Sequence, residues 1–304
     1  MKKNELGKSG IFTSELSLGC MSLGTDAKQA FRIIDAALDR GINHFDTADL
    51  YDFGKNEEIL GKAIKNKRQQ VVLTSKVGND FSKGDGSYRW NPSHEHIITG
   101  LKASLKRLQT DYLDFYMLHG GTIDDPLDES IDAFETLKKE GLIRSYGISS
   151  IRPNVIREYV KRSTIDGVMM QYSMLDRRPE EEILDLLQEK NISVLARGPL
   201  AGGLLSNDWK HQLARKGTNG YLGYMPEELD SILPSIAELA QQPMNSFSFS
   251  YVLSHPAVAT AVFGASSIEQ LEQNTSALPS APLGKTQLAE LQKITKPLRY
   301  EQHR

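Results

Sequence analysis

The chain has 304 residues, 39% of them hydrophobic and 25% charged, enough for a sizeable buried core. Its 36 Lys and Arg against 39 Asp and Glu leave a net charge of −3. That balance excludes a broad basic field and general affinity for nucleic acid or anionic membrane. The single cysteine, Cys20, cannot close an internal disulfide and suits a reducing compartment. Met1-Lys2-Lys3-Asn4-Glu5 lacks the apolar run of a signal peptide, and no apolar stretch reaches the length of a membrane span. A soluble, cytoplasmic protein is expected.

Read in chain order, Asn4–Ser14 centres on Gly7-Lys8-Ser9-Gly10, which suits a small hairpin. A first strand is expected near Leu16–Gly19 and a helix near Ala27–Arg40, with Ile33, Ile34, Ala37 and Leu38 on one side. Strand Ile42–Asp46 leads to helix Asn56–Lys65, and strand Val71–Lys76 to a long polar loop with Gly84, Gly86 and Pro92. Helix Ser93–Leu108 places Ile97, Leu101, Leu105 and Leu108 at helical spacing. Strand Tyr112–Leu118 precedes helix Leu127–Glu140, and strand Ile143–Ile148 precedes a helix beginning after Pro153. Strand Gly167–Gln171, helix Pro179–Glu189, strand Ile192–Ala196 and strand Ala259–Phe263 follow. Helices near Pro226–Ala240 and Phe247–Leu253 intervene before the last strand, and Lys285–Leu298 reads as an added helix.

Strand-then-helix alternation without a composition break predicts one domain over residues 1–304. Its expected fold is a (β/α)8 TIM barrel with an N-terminal hairpin and extra C-terminal helices. In such a barrel the C-terminal strand ends share one face. Asp46, Lys76 and His119 stand at or just past strand ends, and Tyr51 follows Asp46 on the next turn. An acid, an amine, an imidazole and a phenol together make a proton-transfer site.

Reducing an aldehyde or ketone needs a hydride at carbon and a proton at oxygen. A tyrosine phenol is a weak acid, with a free pKa near ~10. A lysine ammonium about 4 Å away stabilises phenolate by roughly 4 kcal/mol at an effective dielectric near 20, before burial costs are subtracted. On that argument Lys76 lowers the Tyr51 pKa, Asp46 keeps Lys76 charged, and His119 orients the carbonyl oxygen.

Several motifs, in order, carry a family resemblance: Leu6-Gly7-Lys8-Ser9-Gly10, Ser17-Leu18-Gly19-Cys20-Met21, Asp46-Thr47-Ala48-Asp49-Leu50-Tyr51 and Asn56-Glu57-Glu58-Ile59-Leu60-Gly61. They continue through Thr74-Ser75-Lys76, Trp90-Asn91-Pro92-Ser93, the stretch from Leu105 to Asp114, the stretch from Gly198 to Leu205, and Gly264-Ala265-Ser266 with Asn274. Over essentially its whole length the chain resembles the aldo-keto reductase superfamily. The resemblance implies a barrel enzyme that uses NADPH, with NADH as the less common cofactor. Tyr51 would be its proton donor, Lys76 and Asp46 would tune it, and His119 would position the carbonyl of a small-molecule aldehyde or ketone.

No Gly-x-Gly-x-x-Gly follows a strand, so a Rossmann reading is unsupported. Barrel phosphate sites often lie in the loops after strands seven and eight, here Gly198–Leu204 and Gly264–Ser267. The resemblance places the cofactor against Gly19, Cys20, Met21 and Asp46, with Ser149 and Gln171 on the nicotinamide amide. Arg197, Gly198, Pro199, Leu200, Ala201, Gly202 and Leu204 follow, and Gly264, Ala265, Ser266, Gln270 and Asn274 hold the adenosine end.

Two positions depart from the family pattern. Arg197 stands where an aromatic ring, often tyrosine, usually stacks on the nicotinamide, although a guanidinium also stacks on rings. Ser150 stands where asparagine is frequent. Gly264, Ser266 and Gln270 occupy places where NADPH-preferring relatives often carry Lys or Arg, and Lys210, Arg215 and Lys216 on a nearby loop offer compensating charge.

Simpler readings stand beside these. Ser267 with Gln270, or Ser266 with Glu269, also reads as a helix-start capping box. His94-Glu95-His96 on a helix points its side chains in different directions, so no metal is expected. Cys20 faces either the pocket or the core. Tyr88, Trp90, Tyr221 and Tyr224 either line the substrate pocket or pack its loops. Gly120-Gly121 leave room beside the carbonyl site. Two rival functions are a barrel lyase forming a Schiff base on Lys76 and a non-catalytic nicotinamide-nucleotide sensor. The family is often monomeric, so a monomer or weak oligomer is expected.

Overall fold

The computed structural model describes residues 1–276 and 283–304. Eight parallel strands close into a barrel: β1 (Leu16–Gly19), β2 (His44–Asp46), β3 (Val72–Val77), β4 (Leu113–Leu118), β5 (Ile143–Ser149), β6 (Gly167–Gln171), β7 (Ser193–Arg197) and β8 (Val258–Gly264). They neighbour one another in chain order, and β8 returns to β1 through the pair Gly264–Gly19. The strands occur where expected, within one or two residues at each end.

Alternation along each strand sorts side chains to two sides. Outward-facing Leu18, Phe45, Leu73, Ile148, Val168 and Met170 join the main core beneath the helices. Val72, Phe115, Met117, Met169, Leu195 and Val262 form a separate core inside the barrel. Leu6 and Ile11 close that inner core from below. Both come from the expected hairpin, whose strands Lys3–Glu5 and Phe12–Ser14 pair antiparallel. Its turn needs Gly7, at φ +60, because a Cβ there would lie 2.3 Å from the Asp166 carbonyl oxygen.

Helix α1 (Ala27–Asp39) shows how the outer layer forms. The Asp26 carboxylate caps it by accepting from the Lys28 and Gln29 amides, and Ala30, Ile33, Ile34 and Ala37 bury its inner face. Each large aliphatic side chain so buried stabilises the fold by roughly 1.5–3 kcal/mol relative to exposure. Helices α2 (Lys55–Ile64), α3 (His94–Leu108), α4 (Leu127–Lys139), α5 (Pro153–Arg162) and α6 (Ile183–Glu189) follow their strands in turn. Between β7 and β8 lie α7 (Trp209–Lys216), α8 (Pro226–Ala240) and α9 (Met244–Val252), and α10 (Ile268–Ser276) and α11 (Lys285–Ile294) come after β8.

Four local expectations change. The helix expected from Pro179 is a short 3-10 turn, Arg178–Glu181, broken from α6 at Glu182, whose φ of −161° is not helical. The tail helix stops at Ile294 rather than Leu298, since Pro297 disfavours helical geometry at Lys296. The polar loop after β3 contains a small antiparallel pair, Asn79–Asp80 with Arg89–Trp90. Helix α7 lies in a stretch expected as loop and fully buries none of its residues. Among the described residues no helix is long and apolar enough to cross a membrane.

Candidate active site

The inward-facing positions at the strand ends converge. Gly19 pairs with Asp46, Lys76 with Met117, Gln171 with Arg197, and Gly264 with Gly19, so residues far apart in sequence ring one opening. One layer below, Ser17 and Thr260 share a 2.5 Å hydrogen bond. The His44 ring bridges Ser17 at 2.8 Å and Thr74 at 2.7 Å. Burial, with the Lys76 charge second, pushes His44 down to about 3, so this belt is neutral at ordinary pH.

Lys76 is fully buried on β3. Its ammonium donates to Asp46 Oδ2 at 2.8 Å and to the Thr47 carbonyl at 2.8 Å, and lies 3.2 Å from the Tyr51 hydroxyl. Burial alone would pull its pKa down, but the facing Asp46 and Tyr51 outweigh that, and the net shift is upward. Lys76 is therefore held as the ammonium.

Tyr51 opens a tight turn in which Asp52 (φ 48°) and Phe53 (φ 51°) are both left-handed, followed by Gly54 at φ 87°. Two consecutive non-glycine residues in that region are costly, on the order of 1 kcal/mol or more each. The turn carries the phenol back over Lys76. The sequence argument expects Lys76 to lower the phenol pKa; in the structure it is raised instead. Burial is the largest cause, and Asp46 adds to it against the opposing pull of Lys76. The phenol is protonated at neutral pH.

His119 follows β4, its amide donating to the Val77 carbonyl at 2.7 Å. Its ring meets Tyr51 edge-on, centroids 5.9 Å apart and planes at 82°. Burial first, then Lys76 and Arg197, push His119 down to about 3. The imidazole is thus neutral. Two polar atoms here, Asp46 Oδ1 and His119 Nδ1, are buried without a hydrogen-bond partner.

A cavity of about 650 Å³ opens over Tyr51 and His119. Met21, Trp90, Ile151 and Met169 supply apolar wall; Ser149, Ser150, Arg152 and Arg197 supply polar wall. Trp90 is fixed by its indole N–H donating to Asp125 at 3.0 Å, and Asp125 also holds the Thr122 amide and hydroxyl. Gly120 and Gly121 run between, at φ 133° and 120°. Of the four loop aromatics, Trp90 lines the cavity and Tyr88 projects into solvent. Tyr221 accepts from Gln171 at 3.3 Å, and Tyr224 is buried, its hydroxyl accepting from the Lys296 amide.

Of the proposed cofactor residues, Met21, Ser149 and Arg197 line the cavity itself. Arg197 donates to Gln171 Oε1 at 3.0 Å. The loop after β7 turns at Gly198, Gly202 and Gly203, all with positive φ, and Lys216 donates to the Gly202 carbonyl at 2.5 Å. After β8, the Ser266 amide and hydroxyl both donate to Gln270 Oε1, while Ser267 Oγ accepts from the Gln270 amide. Ser22 lies so close over Gly264 that a Cβ there would come within 2.3 Å of its hydroxyl. Asn274 is buried and bonded to Asn245. The Cys20 side chain faces the core, and its carbonyl accepts from Asn56, which also binds Thr47. Glycine turns at Gly198, Gly202 and Gly203 and the adjacent Lys216 are compatible with a dinucleotide's pyrophosphate. Among the described residues no cluster has the makings of a metal site, His94-Glu95-His96 included.

Sequence reasoning did not single out Arg152, Thr122 or Met169, nor the carbonyl of Thr47. Arg152 is separated from Ser149-Ser150 by Ile151 and stands just before Pro153, in no motif that would mark it.

The aldo/keto reductase family model matches residues 15–296. The chain is 51% identical to the uncharacterized oxidoreductase YqkF of Bacillus subtilis over 306 aligned positions, covering 100% of both proteins. It is 32% identical to the NADH-specific methylglyoxal reductase of Escherichia coli, covering 91% of this chain and 94% of that one. The holo form of aldo-keto reductase AKR11C1 from Bacillus halodurans superposes with a TM-score of 0.92 at 51% identity, covering 100% of this chain and 99% of that one. This chain therefore belongs to the aldo/keto reductase family and is an NAD(P)H-dependent oxidoreductase.

Proposed function

We propose that the enzyme reduces an aldehyde or ketone to the alcohol with NADPH, Tyr51 giving the proton to the carbonyl oxygen. The observation that carries this reading is the Tyr51 hydroxyl, protonated, 3.2 Å from a buried ammonium and facing the same cavity as a neutral His119. Ser149, Gln171 and Arg197 would hold a reduced nicotinamide, which would supply the hydride. His119 is neutral and carries one ring N–H, which it donates to the carbonyl oxygen, fixing that oxygen beside the phenol. As the phenol loses its proton, Lys76 meets the new phenolate, and Asp46 keeps Lys76 from releasing its own proton. Apolar Trp90 and Met169 line the cavity beside these groups and strengthen their charge interactions.

NADPH over NADH rests on the basic cluster of the β7–β8 connection. Lys216 donates to the Gly202 carbonyl on the loop after β7, and Arg215 lies beside it, donating to the neutral Gln212 and in no ion pair among the described residues. A Schiff base on Lys76 fits poorly, because its amine is an ammonium already engaged by Asp46, Thr47 and Tyr51. A cytoplasmic enzyme acting as monomer or weak oligomer completes the reading.

The test is fluorescence titration with NADPH and NADH, then absorbance assay on a panel of aldehydes and ketones. Tighter NADPH binding with consumption supports the proposal. Binding without consumption on every carbonyl leaves a nucleotide sensor, and no binding leaves the lyase.

A further inference from the structure

The cavity wall carries two arginines, Arg152 and Arg197, and no carboxylate. Neither forms an ion pair among the described residues. Other half-buried or buried arginines do: Arg68 with Asp114, Arg107 with Glu57, Arg177 with Glu180, and Arg178 with Asp176. Net charge does not explain this, since the chain as a whole is acidic, at −3. Arg197 is committed to the nicotinamide side through Gln171. Arg152 is not.

Arg152 enters from the loop after β5, immediately before Pro153 opens α5. Its amide donates to Ser150 Oγ at 3.2 Å, and one guanidinium nitrogen donates to the Gly121 carbonyl. That contact holds the charge against the Gly120–Gly121 loop that follows His119. A guanidinium has five N–H donors in a planar fork, so one carbonyl leaves most of them free. Beside it the wall is apolar at Trp90 and polar but uncharged at Thr122, Ser149 and Ser150, so no anion offsets the cation.

Taking the carbonyl-reductase reading as its basis, the geometry points to Arg152 as the anchor for a carboxylate carried by the substrate. The preferred substrates are then small aldehydes or ketones bearing a carboxylate, with the carbonyl at Tyr51 and His119 and the carboxylate on the Arg152 fork. The carboxylate replaces water on free N–H groups, and a bidentate pair of this kind orients as well as binds.

Matched pairs test it: benzaldehyde against 4-carboxybenzaldehyde, and butanal against 4-oxobutanoate, each with saturating NADPH. For the wild type the carboxylate member of each pair should have a kcat/KM at least ~10-fold higher, carried in KM and falling as salt rises. Arg152→Gln should bring the ratio within each pair to about one, and Arg152→Lys should restore part of it. A ratio at or below one in the wild type overturns the anion site while leaving the reductase intact. So does a variant that slows both members equally, which is what bracing of Gly121 alone would do. No turnover of any of the four aldehydes sinks the reductase reading and this inference with it.

Discussion

Lys76 and Asp46, on the neighbouring strands β3 and β2, meet at 2.8 Å at the barrel mouth with both side chains almost out of solvent. A buried pair of this kind contributes little net stability, because desolvation offsets the attraction, but removing one partner strands the other charge. Its value here is to hold an ammonium beside the Tyr51 hydroxyl.

Lys76→Met should therefore hurt twice. It should cut carbonyl reduction by at least ~10² and lower stability by about 3–5 kcal/mol, because Asp46 is left buried and unpaired. Adding Asp46→Asn should recover most of the stability and none of the activity. Urea unfolding and turnover on the same samples check this. A double variant as unstable as the single one would mean that the pair matters through packing rather than charge.

Tyr51→Phe should leave NADPH affinity nearly unchanged and reduce kcat by at least ~10², the range of general acid catalysis. The phenyl ring keeps its edge-on contact with His119, so the fold is not perturbed. Cofactor titration by fluorescence and single-turnover absorbance separate the two effects. Turnover at the wild-type rate would take Tyr51 out of the chemistry.

Strand positions and the convergence of Asp46, Tyr51, Lys76 and His119 were legible because each strand end combines a continuous apolar run with a polar residue at its close. The alternation that buries Phe45 and Leu73 outward necessarily turns Asp46 and Lys76 inward. The direction of the Tyr51 shift was not legible: it depends on how far burial exceeds the Lys76 field, a three-dimensional quantity. Helix α7 was missed because it is short, fully buries none of its residues, and lies in a Gly-rich polar stretch that reads as loop. Arg152 was missed since a lone arginine before a proline carries no pattern; only the shape of the cavity gives it meaning.

Acid sensitivity should come partly from imidazoles. His44 and His119 are both pushed down to about 3 in the fold, against about 6.5 in the unfolded chain. Between those limits the unfolded state binds more protons, so stability is complete above pH ~6.5 and is lost as pH falls toward 3. The slope should be about 1.4 kcal/mol per pH unit for His44, and less for His119, which the cavity wets. His44→Asn should remove one proton's share of the slope, read from urea unfolding between pH 6.5 and 5. An unchanged slope would show that His44 is not buried neutral.

Asp49 predicts the opposite pH trend. It is buried between Asp46 and Tyr51 in sequence, its amide donates to the Lys76 carbonyl, and its Oδ1 has no partner. Burial and then the nearby Glu57 raise its pKa to about 8, against the weaker pull of Arg107 and Lys76. The folded state thus keeps a proton that the unfolded chain gives up above about pH 4, so this contribution is present at low pH and is lost as pH rises toward 8. Asp49→Asn preserves the shape and cannot ionise. The variant should be more stable than the wild type at pH 8, by on the order of a few kcal/mol, with the gap closing toward pH 5. Thermal or urea unfolding at both pH values measures it. A variant less stable at pH 8 would mean that Asp49 is ionised and holds a partner, and that the turn carrying Tyr51 depends on its charge.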